Sequence, residues 1–427
     1  MRSMQTELFF KNLIQAQKNG RDTGICSICS ANEFVLEAAM EDGRDNGHAV
    51  LIEATANQVN QFGGYTGMKP VDFMAYVRRI AKKTGLNEDQ LIVGGDHLGP
   101  LTWQDDPESI AMPKAEELVS QYVYAGFSKI HIDTSMRLAD DSKTERLPDS
   151  TIAKRAARLC AVAEAAVQDV RPVYVIGSEV PVPGGATENE DSIQVTSPDD
   201  LKSTLTAFRQ AFSERGLQDA WGRVIAVVVQ PGVEFADNTI FKYDTNNAES
   251  LIRYVQSLDG IVLEGHSTDY QPHALLAMMR RDGVAILKVG PAVTFALREA
   301  LFALEDMERL LYPFSPAGGF SCFRDTLEGT LMADDTYWKK YYHGSEQEKS
   351  YARRFSLSDR CRYYLDDGSV KESISRLIKN INAAALPFGL ISQYFPEQKE
   401  RILMANENIT AQMLIKQRIK DVIRTYR

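Results

Sequence analysis

Short apolar segments recur eight times along this chain of 427 residues, and amphipathic helical patterns lie between them. The predicted strands are residues 24–30, 49–54, 90–95, 129–133, 172–177, 225–229, 260–264 and 285–289. They are continuously apolar, which is typical of parallel strands that helices cover. The pattern therefore predicts the α/β class, as a (β/α)8 TIM barrel. The alternative is a doubly wound open sheet, but no G-x-G-x-x-G motif follows any of these strands.

The barrel pattern ends near residue 310, and helical patterns continue to the end of the chain. We predict a barrel over residues 1–310 and a helical C-terminal extension over residues 311–427, packed on the barrel or on a partner subunit. Basic and aromatic residues cluster at 337–343 and 360–364, and such clusters can stack on nucleic acid. The formal net charge of −10 argues against nucleic acid. A packing or subunit surface is therefore the preferred interpretation.

The sequence predicts a cytoplasmic protein with no membrane partner. No apolar run approaches the roughly 20 residues that a bilayer-spanning helix needs. The N-terminal segment is predicted to be an amphipathic helix with Leu8, Phe9, Leu13 and Ile14 on one side, and it lacks the features of a signal peptide. The five cysteines are scattered and include only one C-x-x-C pair, so we expect free thiols in a reducing compartment.

Polar residues follow almost every predicted strand, at the end of the barrel where active sites of this fold lie. Any one of them is explained by ordinary capping of a strand, but their coincidence across several strands favours a site. His131 and Asp133 stand two apart on predicted strand 4, and we favour the later Asp133 as the residue at the mouth. The other strand-end candidates are Glu53, Asn57, Gln58, Asp96, His97, Glu179, Gln230 and His266.

Two histidines and a carboxylate predict a metal site. His97 follows strand 3, His266 follows strand 7, and Glu179 follows strand 5. Two imidazoles with one carboxylate leave coordination positions open for substrate oxygens. A divalent metal is expected, zinc first, although the same ligands suit manganese, nickel or cobalt. The segment 180–186 that follows Glu179 is a candidate lid.

The ends of strands 7 and 8 predict a phosphate-binding region. Gly265 and Ser267 offer amide and hydroxyl groups, and Lys288 adds a positive charge. Gly290 and Thr294 lie where a helix begins, and the free amide groups of a helix start attract anions. Ordinary strand-to-helix turns also use glycine and proline, so this alternative remains open.

Eight stretches together resemble the Z-type subunit family of tagatose-bisphosphate aldolase, also described as tagatose 6-phosphate kinase-like. They are GICSICSAN, EATANQVNQFGGYTGM, GGDHLGP, KIHIDTS, GSEVPVPGGA, VVQPGVEF, LEGHSTDYQ and LKVGPA. The resemblance runs through essentially the whole chain, and that family is similar to metal-dependent class II aldolases.

The resemblance implies roles for individual residues. Asp96 matches the aldolase proton carrier, and His97 matches the first zinc ligand. His266 matches a second ligand, and Glu179 matches a carboxylate that approaches the metal. The departure is Gln230, which stands where those aldolases place a further zinc histidine. Either Glu179 completes the site, or the metal is altered or lost.

The resemblance implies more than one function. The preferred prediction is a metal-dependent 4-epimerase that interconverts fructose-type and tagatose-type ketohexoses, or their 6-phosphates, by breaking and re-forming the C3–C4 bond. Asp96 would move the proton, with Asp133 or Glu53 assisting, and Glu179 would lie at the reacting centre. The alternative is a non-catalytic subunit that stabilises a class II tagatose-1,6-bisphosphate aldolase.

A third reading is an aldolase that acts alone, and a kinase is the weakest reading because no G-x-x-x-x-G-K-[ST] motif occurs. The expected partners are a sugar or sugar phosphate, and either an aldolase subunit or further copies of this chain.

Overall fold

The computed structural model describes residues 2–178, 193–404 and 408–427. Eight parallel strands close into a barrel in which each strand lies beside the next in the sequence, and the last pairs with the first. The predicted (β/α)8 fold is therefore confirmed. The strands are β1 (Ile25–Ile28), β2 (Val50–Thr55), β3 (Leu91–Leu98), β4 (Lys129–Ile132), β5 (Val173–Ile176), β6 (Val224–Val229), β7 (Val262–Gly265) and β8 (Val284–Val289).

Helices surround the barrel and form most of the C-terminal part. In the first part of the chain they are α1 (Arg2–Lys18), α2 (Glu33–Asn46), α3 (Pro70–Thr84), α4 (Glu108–Tyr124), α5 (Asp149–Ala165), α6 (Pro198–Glu214), α7 (Gln218–Trp221), α8 (Thr245–Gln256), α9 (His273–Arg281) and α10 (Pro291–Leu311). The later helices are α11 (Phe323–Ala333), α12 (Glu346–Phe355), α13 (Gly368–Ala383), α14 (Phe388–Tyr394), α15 (Lys399–Met404) and α16 (Ala411–Thr425). The boundary predicted at residue 310 falls in the last turn of α10, and the division into two domains stays a prediction.

Helix α1 packs against the apolar interior at the amino ends of the strands. Phe10, Leu13 and Ile14 are buried in one cluster with inward-facing residues such as Ile92 of β3. These positions follow the i, i+3, i+4 spacing of one helix face. Leu8, predicted for the buried side, is 58% exposed. That part of the prediction is wrong, because the helix phase places Phe10 against the barrel instead.

The C-terminal part packs on the barrel of the same chain. Helix α16 contacts α10 and α2, and Lys420 pairs with Glu41 of α2 at 2.9 Å. A second contact joins α10 to the segment between α12 and α13, where the buried Arg298 pairs with the buried Asp359 at 3.0 Å. This packing brings residues 360–364 close to the carboxyl ends of the barrel strands.

Within the described ranges, no helix is both long enough and apolar enough to cross a bilayer. All five cysteines are free thiols. Burial raises the pKa of the Cys29 thiol well above its usual value, so Cys29 is a protonated side chain at neutral pH.

Candidate functional site at the barrel mouth

Two lysines and three carboxylates form a buried ionic network inside the barrel. Lys129 of β4 contacts Glu53 at 2.5 Å and Glu264 at 2.8 Å. Lys288 of β8 pairs with Asp96 at 2.7 Å, with Glu264 at 3.2 Å and with Glu53. All five side chains are nearly or fully buried. Each carboxylate therefore has a positive partner inside the protein, as buried charges require.

The strands place this network by their two-residue alternation. Lys129 and His131 of β4 face the barrel interior, while Ile130 and Ile132 belong to the core that packs against the helices. The neighbouring strand contributes Gly94, where an added Cβ would lie 2.5 Å from Oε1 of Glu53. The missing side chain of Gly94 thus leaves the space that the Glu53 carboxylate occupies.

Asp96 and Asp133 each form a hydrogen bond with a histidine ring. Oδ1 of Asp96 lies 2.8 Å from Nδ1 of His131 and accepts the backbone amide of His97 at 3.0 Å. Oδ2 of Asp133 lies 2.8 Å from Nδ1 of His97. His97 has a φ of 48°, a left-handed conformation that is uncommon for non-glycine residues and is found more often at functional sites.

Three imidazole rings meet at this point. The ring centroids of His97 and His266 are 4.8 Å apart, and His131 lies 5.2 Å from each of them. Nε2 of His266 lies 3.1 Å from Oε1 of Glu264. Nε2 of His131 is buried and has no hydrogen-bond partner. A buried nitrogen without a partner is an exception among polar groups and is a candidate ligand atom.

The ionic surroundings give these groups different protonation states. Burial alone would raise the pKa of Asp96, but Lys288 and His97 outweigh it and hold this pKa well below the usual range. Burial opposes a charge on His97, yet Asp96 and Asp133 raise its pKa. Burial lowers the pKa of His266 to about 3. His266 is therefore neutral at neutral pH and keeps a free lone pair.

Four residues have the composition and spacing of a metal site. One ligand atom each from Asp96, His131, Glu264 and His266 lies within 4.8 Å of all the others. Two imidazoles with carboxylates are a common ligand set for zinc and other transition metals. The partnerless nitrogen of His131 supports the fit. A metal here would compete with Lys288 for Asp96 and Glu264.

This cluster differs from the predicted ligand set. His266 is common to both, whereas Asp96, His131 and Glu264 were not among the predicted ligands, and metal binding by His97 and Gln230 stays a prediction. His97 lies beside the cluster and is bound to Asp133. The Gln230 oxygen accepts two backbone amides of its own turn, at 2.9 and 3.0 Å. Glu179 and the segment 180–186 lie outside the described residues, so their predicted roles stay predictions.

A pocket of about 80 Å³ opens above the cluster. Gly265 lies on β7, and Glu53 lies below the pocket in the ionic network. The hydroxyl of Thr294 donates to Asp359 at 2.7 Å, away from the pocket. Most of the other residues predicted for the site line it. They are Asn57, Gln58, Asp96, His97, His266, Ser267, Lys288 and Gly290.

The predicted anion site at the start of α10 already has a carboxylate bound to it. Asp269 accepts the backbone amides of Gly290 at 3.0 Å and Ala292 at 2.8 Å. Burial raises the pKa of Asp269 to about 6, although these two amides favour the ionised form. Phosphate binding by Gly290 and Thr294 therefore stays a prediction that these internal hydrogen bonds do not favour.

Several pocket residues were not among the predicted site residues. Arg362 and Tyr363 of the C-terminal part and Tyr65 after β2 line the same pocket. The basic and aromatic composition of residues 360–364 was noticed, but no local pattern shows that they reach the barrel mouth. Lys129 could have been found, since a lysine two residues before His131 in an apolar strand shares its inward face.

Comparison with known proteins gives matches along nearly the whole chain. The family described as D-tagatose-1,6-bisphosphate aldolase subunit GatZ/KbaZ-like matches residues 10–427. The aldolase subunit GatZ of Klebsiella pneumoniae is 47% identical over 421 residues, which cover 98% of each chain. GatZ of Salmonella agona is 46% identical over 420 residues, again 98% of each chain.

A solved structure from Sinorhizobium meliloti 1021, described as a probable tagatose 6 phosphate kinase, has 42% sequence identity and a TM-score of 0.86. The match covers 94% of this chain and 99% of that one. The kinase activity named for that protein has no matching phosphate-binding motif in this chain, in which G-x-x-x-x-G-K-[ST] does not occur.

These matches correct the preferred functional prediction. The family and the curated relatives carry the description of an aldolase subunit. The prediction of a ketohexose 4-epimerase, and of a carbohydrate epimerase as the enzyme class, is therefore wrong. The comparisons favour the alternative, a subunit of tagatose-1,6-bisphosphate aldolase.

Proposed function

The chain belongs to the GatZ/KbaZ-like family of D-tagatose-1,6-bisphosphate aldolase subunits, and we propose that it acts as such a subunit, stabilising a class II aldolase chain that performs the cleavage. The observation that carries this proposal is the match to curated aldolase subunits over 98% of both chains. The cytoplasm is the expected compartment for this assembly.

Asp96 is held within the buried ionic network of the barrel. Its carboxylate lies 2.7 Å from Lys288 and 2.8 Å from Nδ1 of His131. These contacts give Asp96 a place in the structure of the proposed subunit, in which it links β3 to β4 and β8.

We further propose that the strand-end cluster is a metal site of the subunit. Asp96, His131, Glu264 and His266 would hold a divalent ion, with zinc expected first and manganese, nickel or cobalt as alternatives. When bound, the ion would link β3, β4 and β7 and stabilise the barrel. His266 is already neutral, and Oδ1 of Asp96 accepts a hydrogen bond from Nδ1 of His131, which leaves Nε2 of that ring without a partner.

The test is the lifetime of a partner aldolase. A class II tagatose-1,6-bisphosphate aldolase is expressed with and without this chain, and its cleavage activity is followed during incubation at a raised temperature. The proposal predicts a longer half-life and co-elution of both chains in size-exclusion chromatography.

The control is an unrelated (β/α)8 barrel of similar length expressed at the same level. An equal half-life in the presence of this chain and of the control would contradict the proposal. Separate elution of the two chains together with an unchanged half-life would overturn it completely.

A further inference from the structure

The C-terminal part contributes Arg362 to the wall of the mouth pocket, whereas Arg360, two residues earlier, lines a separate pocket. Among the described residues, no carboxylate lies within 4.0 Å of the guanidinium of Arg360 or Arg362. Asp359, which precedes them, is already bonded to Arg298 and to Thr294. Arg360 is 4% exposed, and its buried Nε has no hydrogen-bond partner. In place of an acid, the Arg360 guanidinium lies over the ring of Tyr341, 3.3 Å from its centroid.

The Arg362 guanidinium is held in place at the pocket wall. It donates to the backbone oxygens of Ser358 and of Asp359, the latter at 3.1 Å, and to the Tyr363 hydroxyl at 3.0 Å. The ring of Tyr363 is fixed in turn, stacked on Tyr337 with a centroid distance of 4.7 Å and an interplanar angle of 9°. These contacts orient the guanidinium before any ligand binds.

Two guanidinium groups lie near the Tyr363 ring, that of Arg362 at 4.5 Å and that of Arg360 at 6.0 Å from its centroid. Burial alone would raise the pKa of this phenol, but Arg362 and Arg360 outweigh it and lower the pKa. Tyr65 packs edge-on against the same ring at 4.7 Å and also lines the pocket. The strand-end side of the pocket differs, because its carboxylates are already held within the barrel, Asp96 by Lys288 and Asp269 by two backbone amides.

We propose that Arg362 and Tyr363 form an anion-binding wall of the mouth pocket, which selects small molecules that carry a phosphate ester. A guanidinium with free donors and a phenol hydroxyl match phosphate oxygens. The pocket lies between this wall and Ser267, which can donate a further hydrogen bond to the same ligand. The inference rests on the proposed aldolase subunit role in one respect, the expectation that the ligand is a sugar phosphate. The wall itself is formed by residues of this chain.

Calorimetry on the purified full-length chain tests this site. Fructose 6-phosphate, free fructose and inorganic phosphate are titrated separately into the wild-type protein and into Arg362→Gln. We expect the phosphate ester to bind, free fructose not to bind, and Arg362→Gln to weaken binding of the ester at least about tenfold. Inorganic phosphate that binds as tightly as the ester, and loses affinity in the same variant, supports the wall and identifies the free anion as its ligand.

Matched variants keep the test decisive. Arg253→Gln removes an exposed arginine on α8 that pairs with Glu249, and it should leave the affinity unchanged. Arg362→Lys keeps the charge but loses the planar fork, so it should bind more weakly than wild type and more tightly than Arg362→Gln. If Arg362→Gln fails to fold by circular dichroism, Tyr363→Phe replaces it, with an expected loss of several-fold.

The proposal is overturned if the wild-type protein binds neither anion, or if binding is equal in wild type and the folded wall variants. This result is separate from the aldolase role. If no anion binds but the chain still stabilises the partner aldolase, only the proposed anion-binding wall is overturned. If anion binding depends on Arg362 but the chain has no effect on an aldolase, only the proposed subunit role is overturned.

Discussion

Two sides of one pocket handle charge in opposite ways. On the strand-end side, Lys129 and Lys288 pair with three buried carboxylates. On the C-terminal side, Arg362 lines the pocket and has no carboxylate within 4.0 Å among the described residues. The first arrangement keeps the barrel folded and leaves little charge for a ligand. The second leaves positive charge available at the pocket. The difference is that the barrel pairs its buried charges with one another, while the C-terminal part leaves the Arg362 guanidinium without an acidic partner at the pocket wall.

The largest expected effect comes from removing the central cation of the barrel. Lys129→Met leaves Glu53 and Glu264 without their fully buried partner. Breaking a buried pair in this way costs about 3–5 kcal/mol. Urea unfolding followed by circular dichroism measures the loss. The control, Lys339→Met, removes an exposed lysine that pairs with Asp335 and should leave the stability nearly unchanged. Similar results for both variants would break the comparison.

Asp269 lies between the two sides and should make stability depend on pH. Its folded pKa of about 6 lies above the usual 3.8, because burial disfavours its charge. The folded state therefore binds the proton more tightly, so this contribution to stability is present below about pH 4 and is lost as pH rises through about 6. The stability of Asp269→Asn relative to wild type should therefore rise by up to about 3 kcal/mol as the pH increases from about 4 to above 6. Thermal unfolding between pH 4 and pH 7 measures the gain, and a constant difference would contradict it.

Metal binding should depend on the strand-end side alone. At a zinc concentration of about thirty times Kd, the proposed site would stabilise the protein by about 2 kcal/mol. His131→Ala removes the imidazole whose Nε2 has no partner and should abolish this gain. Thermal unfolding with zinc and after chelation measures the effect. Arg362→Gln serves as the control and should keep the full gain. If zinc stabilised wild type and His131→Ala equally, the proposed metal site would be contradicted.

The smallest effect on stability is expected on the C-terminal side. Arg362→Gln loses hydrogen bonds to two backbone oxygens and to Tyr363 but breaks no ion pair. The expected loss is about 1 kcal/mol. Urea unfolding beside Lys129→Met makes the comparison direct. A loss as large as that of Lys129→Met would mean that the arginine is part of the folded core and not a free charge.

The fold was predictable because its signals are local. Each predicted strand overlaps an observed one, and the main difference is β3, which continues to Leu98 and so includes Asp96 and His97 within the strand. Continuous apolar segments and helical periodicity depend only on neighbouring residues. The closure of eight such units then follows from their number.

The site was predictable only in part, because it depends on long-range packing. Asp96 and His266 were identified from their place at strand ends. Choosing Asp133 over His131 assumed that the later residue reaches the mouth, whereas the inward alternation of β4 brings His131 into the cluster. Arg362 comes from the C-terminal part, and its position follows from the packing of that part on the barrel. No pattern within residues 360–364 specifies that contact.

The most direct test of the subunit role is a titration of aldolase activity. Purified chain is added stepwise to a fixed amount of a class II tagatose-1,6-bisphosphate aldolase, and the cleavage rate is measured after each addition. We predict that this chain alone cleaves no bisphosphate, and that the rate rises and reaches a plateau at a fixed ratio of the two chains. A rate that never changes, or equal cleavage by this chain alone, would contradict the account.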